Sequence, residues 1–563
     1  MNNMMKKETN SYDAIVIGSG VSGGWAAKEL SEKGLKTLIL ERGRELKHGD
    51  YPTATMDSWD FPHRGQLTQE EWAKRPVQKA FGMFVNETNQ HHFARDIDHP
   101  YMQKKPLYWI RSFHEGGRSV TWGRQVYRWS DLDFEANAKE GVGVDWPIRY
   151  KDIAPWYDYV EKYIGINGKK EGLAHLPDGN FLPPMDLNCA EEHLKEAIES
   201  NFDQRMLTIG RTTNLTQAHN GRGKCQFRNR CVRGCPYGAY FSSNSVTLPA
   251  AYGSGNATIR PNSIVESILY DNETGKASGV RVIDQNTKEE IEYTAKIIFC
   301  NASTLGSTQI LLNSTSDRFP NGLGNDSDQL GRNLMDHHYK NGASGVLPDF
   351  GKDQYYSGRR PNGFYIPRFR NINDSTKTDK YLRGYGYQGR GARIQGDGSA
   401  IGEELKSNLL KPGPWNIAMT AFGECLPYEE NRVTLSTEHK DKWGIPQMIM
   451  DADFKENEMK MREDMANDAA EMLERAGAKD IQTRNDVPVM AECIHEMGTA
   501  RMGNDAKTSV LNKFNQMHAV KNVFVTDGAC MTSSACQNPS ITYMALTARA
   551  ANYAVEELKK GNI

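Results

Sequence analysis

The sequence predicts an α/β protein. A Rossmann-like dinucleotide-binding domain is assembled from discontinuous segments, and a second domain carries a largely antiparallel sheet flanked by helices. Three observations predict this. Near the N-terminus an apolar strand runs into a glycine-rich turn and a helical pattern, and a second strand then ends in an acid. Two further strand–turn–helix patterns lie far away, at 295–306 and 522–558. Between them, the interval 343–423 is rich in glycine and aromatic residues, as expected of antiparallel strands. A chain of 563 residues is also too long for one simple core.

The first unit reads Asp13-Ala-Ile-Val-Ile-Gly18-Ser-Gly20-Val-Ser-Gly23, and its second strand ends at Glu41. In such a βαβ unit Gly18 permits the tight turn, Gly20 lets the backbone approach a pyrophosphate, and Gly23 lets the helix pack closely on the strand. The helix N-terminus offers unpaired N–H groups to phosphates, and Glu41 ends where a ribose hydroxyl pair would sit. A loop-rich stretch, 51–108, leads to a segment holding Gly116, Gly117 and Thr121. After Trp146-Pro147, Ile153, Trp156, Tyr157, Val160 and Ile164 recur at helical steps. Stretches 257–265, 279–283 and 295–300 read as strands, and 456–476 as an exposed amphipathic helix. From Pro539 a final helix shows one apolar stripe, Met544, Ala548, Ala551, Val555 and Leu558. The dinucleotide domain is thus expected over 10–135, 241–342 and 488–563, the second domain over 136–205 and 343–487, with 206–240 as a separate cysteine-bearing loop.

Bulk composition narrows the function. Net charge is −2 with 25% charged residues, which gives no basic surface for nucleic acid or for an anionic membrane. No apolar run approaches ~18 residues, so no direct membrane span is expected. The first residues, Met1-Asn-Asn-Met-Met-Lys-Lys-Glu, lack an apolar core, so no secretion signal is expected in this chain.

Nine cysteines are present. Six are scattered, and a buried small hydrophobe is the default reading for each. The other three lie in Cys225-Gln-Phe-Arg-Asn-Arg-Cys231-Val-Arg-Gly-Cys235-Pro, amid Arg228, Arg230 and Arg233. Three thiols this close, with basic neighbours to offset negative charge, suggest thiolates on a metal centre. Structural zinc wants four ligands, and no fourth Cys or His lies close by. Three suit an iron–sulfur centre with one iron per thiolate, and a proline after the last ligand is shared with ferredoxin-type runs. A disulfide with an odd thiol, or zinc completed by a distant residue, are the other readings.

Two C-terminal segments complete the pattern: Cys493-Ile-His495-Glu-Met-Gly498-Thr499, and Thr526-Asp527-Gly528 followed by Gln537-Asn538-Pro539-Ser540. With the N-terminal unit and Gly116-Gly117, these resemble the glucose–methanol–choline (GMC) oxidoreductases, from about 12 to 558. The resemblance implies FAD as the dinucleotide and oxidation of an alcohol by hydride transfer to flavin N5. It places His495 as the base, a role that a neutral imidazole suits near pH 7. Asn538 falls where the family has histidine or asparagine, and would hold the substrate oxygen without competing for the proton. Pro539 would open a helix whose positive end favours reduced flavin. Asp527-Gly528 would contact the pyrophosphate and ribityl chain, and Gly116, Gly117 and Thr121 would pass beside the flavin ring. Cofactor contacts are also implied at Arg42 and Val265. Some sugar-oxidising relatives carry a histidine at the place of Thr121 joined covalently to FAD; threonine cannot form that bond, so non-covalent FAD is expected.

The cysteine triplet sharpens the resemblance to the catalytic subunits of bacterial membrane-associated sugar dehydrogenases, of the glucoside 3-dehydrogenase and FAD-glucose dehydrogenase type, which carry a [3Fe-4S] cluster on such a triplet. This implies a dehydrogenase of a secondary or anomeric sugar hydroxyl, C3 of a glucoside favoured, with electrons relayed through the cluster to a cytochrome or quinone. A small partner subunit is implied, as is a periplasmic location by co-export with a signal-bearing partner, with a cytoplasmic enzyme as the other option. Two competing readings are an oxygen-using pyranose or alcohol oxidase with structural cysteines, and a non-catalytic flavin-binding subunit. Trp415, Tyr365, Tyr385 and Tyr387 read as ordinary strand residues first and as stacking platforms for a pyranose second.

Overall fold

The computed structural model describes residues 10–81, 84–348, 360–394, 400–410 and 413–563. Its largest sheet has seven strands. Ser11–Ile17 lies at the centre, parallel to Thr37–Leu40 on one side and to Glu290–Cys300 on the other. Ala257–Arg260 extends one edge in parallel. On the opposite side, Val523–Val525 runs parallel to the C-terminal half of Glu290–Cys300, while Lys276–Asp284 pairs antiparallel with its N-terminal half and then with Ser263–Asp271. Strands from the beginning, middle and end of the chain therefore share one sheet. The C-terminal ends of the parallel strands open into one crevice, where ligands bind in open α/β sheets.

The first turn shows why its glycines are needed. Gly18 has φ +92°, a conformation that side chains disfavour, and a Cβ there would meet the Asn301 carbonyl oxygen at 2.5 Å. A Cβ on Gly23 would lie 1.9 Å from the Gly18 carbonyl oxygen, so the Val21–Glu32 helix closes on the turn only because Gly23 has none. Gly20 has no atom within 4 Å of its Cβ position and opens onto the crevice.

The second sheet has six strands, in the order Lys479–Asn485, Asn341–Leu347, Trp415–Gly423, Tyr385–Arg393, Phe364–Ile366, Thr208–Ile209, all antiparallel. One face is covered by the helices Glu456–Arg475 and Cys189–Asn201. Met461, Met465, Ala469 and Met472, at steps of four, four and three, bury there among Tyr385, Tyr387 and Trp415. These three aromatics are fully buried, and Tyr387 Oη donates to the Met465 carbonyl at 2.7 Å. Tyr365 is sealed against Tyr127, ring to ring at 4.0 Å. None of the four can stack on a sugar; they are core residues.

Three features differ from expectation. The stretch 257–265 is not one strand: it breaks after Arg260, with Asn262 at φ +54°, because proline at 261 cannot donate to a ladder. The helix Tyr150–Ile164 and the strands Arg432–Lys440 and Pro446–Asp451 contribute to the core beneath the first sheet, and the latter pair joins Met102–Gln103. Within 206–240, Thr208–Ile209 belongs to the second sheet. No helix among the described residues is long and apolar enough to cross a membrane.

Candidate active site

The crevice at the strand ends is a cavity of about 390 Å³. Gly18, Gly20, Glu41, Arg42, Gly117, Thr121, Val265, Asp527, Gly528, His495 and Asn538 all line it. The fold thus gathers residues from 18 to 538 around one space. Three others named from sequence stand behind its wall. Gly23 serves the helix packing described above. Gly116 donates its N–H to Ser19 Oγ at 2.9 Å and packs so closely on Asn244 that a Cβ would overlap it. Pro539 precedes the helix Ser540–Lys559 at its N-cap and positions that helix instead of touching the space.

The cavity suits a long polar ligand. Asn301 Nδ2, Ser112 Oγ and Tyr543 Oη line it, buried and without hydrogen-bond partners, so they are paid for only by a ligand that bonds them. At one end Glu41 is buried, accepting from Ser19 N at 3.1 Å, Ser19 Oγ at 2.5 Å and Gly43 N at 2.7 Å. Burial raises its carboxyl above the usual range, against these bonds. The Arg42 guanidinium is 4.7 Å from the Phe113 ring and 5.3 Å from that of Trp443. Near the middle, Asp527 accepts from Ser307 Oγ at 2.5 Å and Ala529 N at 3.0 Å, and burial pushes it up to about 6. Arg118 forms a two-pronged ion pair with buried Glu496, at 3.1 and 2.8 Å.

The far end holds His495 and Asn538. Buried Asp336 accepts from the N–H of Cys493 and of His495, each at 2.9 Å. Between them Ile494 has φ +63°, a strained region for a β-branched residue, so the carboxylate clamps a turn that would otherwise relax. The side chains form a chain with one polarity. His337 Nε2 lies 3.1 Å from the Ser534 carbonyl, which can only accept, so His337 carries its proton on Nε2 and leaves Nδ1 bare. His495 Nδ1, 3.0 Å away, must then donate, which leaves His495 Nε2 unprotonated and an acceptor. Asn538 Nδ2 lies 3.4 Å from that atom, and Gln388 Nε2 donates to Asn538 Oδ1 at 2.5 Å, which fixes the amide. Burial, then the neighbouring His337 and Arg118, hold His495 well below the usual histidine range; burial holds His337 at about 4. Both rings are neutral near pH 7, and Nε2 of His495 can accept a proton.

Asp336, His337, Gln388 and the contact of Cys493 with His495 Nδ1, at 3.4 Å, were not anticipated. The run Asp336-His337-His338 was the one available signal. Cys493 is no mere packing residue.

Cys225, Cys231 and Cys235 are free thiols that line a second, small cavity together with Tyr240. They form no disulfide. Among the described residues one set of three metal-ligating atoms is gathered within 4.8 Å, and it lies elsewhere, at His337, Cys493 and His495. Burial raises the Cys235 thiol and Arg228 acts against it, favouring the thiolate, while all three arginines also bind a neighbouring loop. Arg228 donates to the Ala54 carbonyl, Arg230 pairs with Asp57, and Arg233 donates to the Met56 carbonyl at 3.0 Å, so they fasten the 53–61 loop to the cysteine loop. The two cavities are adjacent. Tyr240 Oη bonds to the carbonyls of Val120 and Cys231, and Trp122, which lines the larger cavity, donates Nε1–H to the Phe241 carbonyl at 2.9 Å.

Comparison with known proteins gives this geometry a family. Residues 13–339 and 427–547 match the N-terminal and C-terminal models of the GMC oxidoreductases. The chain belongs to the GMC oxidoreductase family. It is therefore an FAD-dependent oxidoreductase acting on CH–OH donors. It is 28% identical to 2-methyl-1,2-propanediol dehydrogenase of Mycolicibacterium austroafricanum, over 98% of this chain and 96% of that one. It is 24% identical to the fructose dehydrogenase large subunit of Gluconobacter japonicus, over 99% and 100%. Among solved structures, formate oxidase of Aspergillus oryzae superposes with a TM-score of 0.64 over 98% of this chain and 99% of that one, at 13% identity.

Proposed function

We propose that this GMC oxidoreductase is a dehydrogenase of a sugar or glycoside, oxidising a secondary or anomeric hydroxyl, with C3 of a glucoside favoured. Bound FAD would supply the hydride acceptor, and a [3Fe-4S] cluster on Cys225, Cys231 and Cys235 would supply a one-electron exit. The observation that carries this reading is the pairing of His495 Nε2, an unprotonated acceptor, with the Asn538 amide N–H that makes a long 3.4 Å hydrogen bond to it, which a substrate hydroxyl would replace. A substrate hydroxyl there would receive a hydrogen bond from Asn538 Nδ2 and give its proton to His495 Nε2. As the O–H proton leaves to the imidazole and the hydride leaves carbon, a carbonyl forms. Gln388 keeps Asn538 from presenting its oxygen instead. Arg124, Gln125 and Gln388 give the substrate end several polar groups for further hydroxyls. Relatives named for fructose and for a vicinal diol support a polyol substrate.

Asn301, Ser112, Tyr543 and the open face of Gly20 would hold FAD, and Thr121 leaves it non-covalent. Acid precipitation should therefore release the flavin into solution. The adjacency of the two cavities through Tyr240 and Trp122 supports the cluster as relay. A small partner subunit, a cytochrome or quinone acceptor and a periplasmic location by co-export complete the proposal. An anaerobic titration with a sugar panel, followed by absorbance and EPR, tests it. Flavin bleaching together with an iron–sulfur signal is expected. Bleaching by simple alcohols alone would remove the sugar from this reading, and peroxide formed stoichiometrically under air with no iron bound would replace it with that of an oxidase.

A further inference from the structure

A second chemistry is built into the same end of the cavity. His337, Cys493 and His495 each present one ligand atom, and the three atoms lie within 4.8 Å of one another. The Nδ1 atoms of the two histidines are 3.0 Å apart, and Cys493 Sγ is 3.4 Å from His495 Nδ1. With zinc bonds of about 2.0–2.1 Å to nitrogen and about 2.3 Å to sulfur, a tetrahedral ion separates two nitrogens by roughly 3.3 Å and a nitrogen from a sulfur by roughly 3.6 Å. Those two gaps fall a few tenths of an ångström short of these values, and the third, from His337 Nδ1 to Cys493 Sγ, is within 4.8 Å, so the thiol must swing toward His337 for one ion to touch all three atoms. At His337 the second shell fits, its remaining N–H going to the Ser534 carbonyl, the bond that orients metal-binding imidazoles; at His495 the Nε2–H would meet the Asn538 Nδ2 donor 3.4 Å away, so that amide must give way. Cys493 and His495 line the cavity, so an ion has a route in. Two imidazoles and a thiolate select zinc over magnesium or calcium.

We propose that His337 Nδ1, His495 Nδ1 and Cys493 Sγ form a zinc site, with the fourth position open to water or a substrate oxygen, and that filling it switches the enzyme off. Binding releases the thiol proton of Cys493 and displaces the proton of His495 from Nδ1 to Nε2. The lone pair that would receive the substrate proton is then gone. This last consequence rests on His495 being the base, whereas occupancy of the site does not.

The test uses the holoenzyme and zinc chloride alone. Crystals soaked in zinc and measured at the zinc edge should show an anomalous peak within bonding distance of the three atoms. In solution, zinc should slow substrate-driven flavin bleaching, and EDTA should restore it. In Cys493→Ser the zinc concentration for half-inhibition should rise by about tenfold or more, since loss of even an outer-shell partner costs 10–100-fold. Cys493→Ala provides the same comparison if the serine variant folds poorly, and the diffraction arm needs no variant. A peak confined to Cys225, Cys231 and Cys235, or zinc inhibition unchanged in both Cys493 variants, would overturn the site. A peak at the three atoms with unimpaired bleaching would leave the site standing and remove His495 as the base.

Discussion

At the scale of single residues, the site is decided by where one proton sits. The Ser534 carbonyl dictates the tautomer of His337, which dictates that of His495. His495→Ala should keep its FAD yet lose substrate-driven bleaching by the 10²–10⁴-fold typical of a lost general base, measured by stopped-flow absorbance. His337→Phe should keep FAD but lower the bleaching rate at least about tenfold, because His495 then has no acceptor to hold its proton on Nδ1. The pH profile follows from the same burial. An accepting imidazole works only while neutral, and the His495 pKa is depressed, so neutrality persists below the ordinary value of ~6.5. The bleaching rate should run flat through pH 6.5 and fall only in stronger acid; a half-point near 6.5 would show an imidazole that is not desolvated. His495 and Asn538 were legible because they sit in linear motifs. Asp336, His337 and Gln388 were not, since they reach the site from other segments and only folding brings them near. Gln388 alternates with Tyr387 on one strand, and the pleat alone sends one to the cavity and the other under the helix.

At the scale of elements, the glycine-rich turn was readable because each glycine answers a steric demand of a strand–turn–helix. Gly23→Ala puts a Cβ 1.9 Å from a backbone oxygen, where nothing flexible can yield. The helix must shift, at a cost of about 1–3 kcal/mol. Its N-terminal N–H groups should no longer meet the phosphates, so the purified variant should show a lower FAD-to-protein ratio and a lower melting temperature. The aromatic-rich strands were less readable. Period-two alternation finds a strand but does not say which face is covered, and the Glu456–Arg475 helix covers the aromatic one. The break after Arg260 has its mark in Pro261, although apolar residues resume beyond it and prolong the strand-like pattern.

At the scale of the whole molecule, discontinuity is the organising fact. One sheet draws strands from residues 11 to 525, so the cofactor crevice exists only when both ends of the chain are folded together. The cysteine loop then lies beside that crevice through Tyr240 and Trp122. Cys231→Ser should remove iron while leaving FAD content and anaerobic flavin bleaching intact, and should abolish electron delivery to a one-electron dye. Equal dye reduction in the variant would disconnect the triplet from the electron route. The order of the motifs made the assembled domain legible. The place of the 432–451 hairpin in the core beneath the first sheet was not, because the hairpin carries no local mark of the partner it chooses.

The polarity of the Gln388–Asn538–His495–His337–Ser534 chain has a kinetic corollary. It terminates on a carbonyl, a cul-de-sac for protons, so nothing taken up by the imidazole can hop onward to the far side. On the proposed role of His495, the acid generated in each cycle must depart by the mouth through which reactant came, and that mouth is plugged until the carbonyl product has gone. Turnover in heavy water should accordingly be slowed after product escape, and added viscogen should shrink that isotope effect.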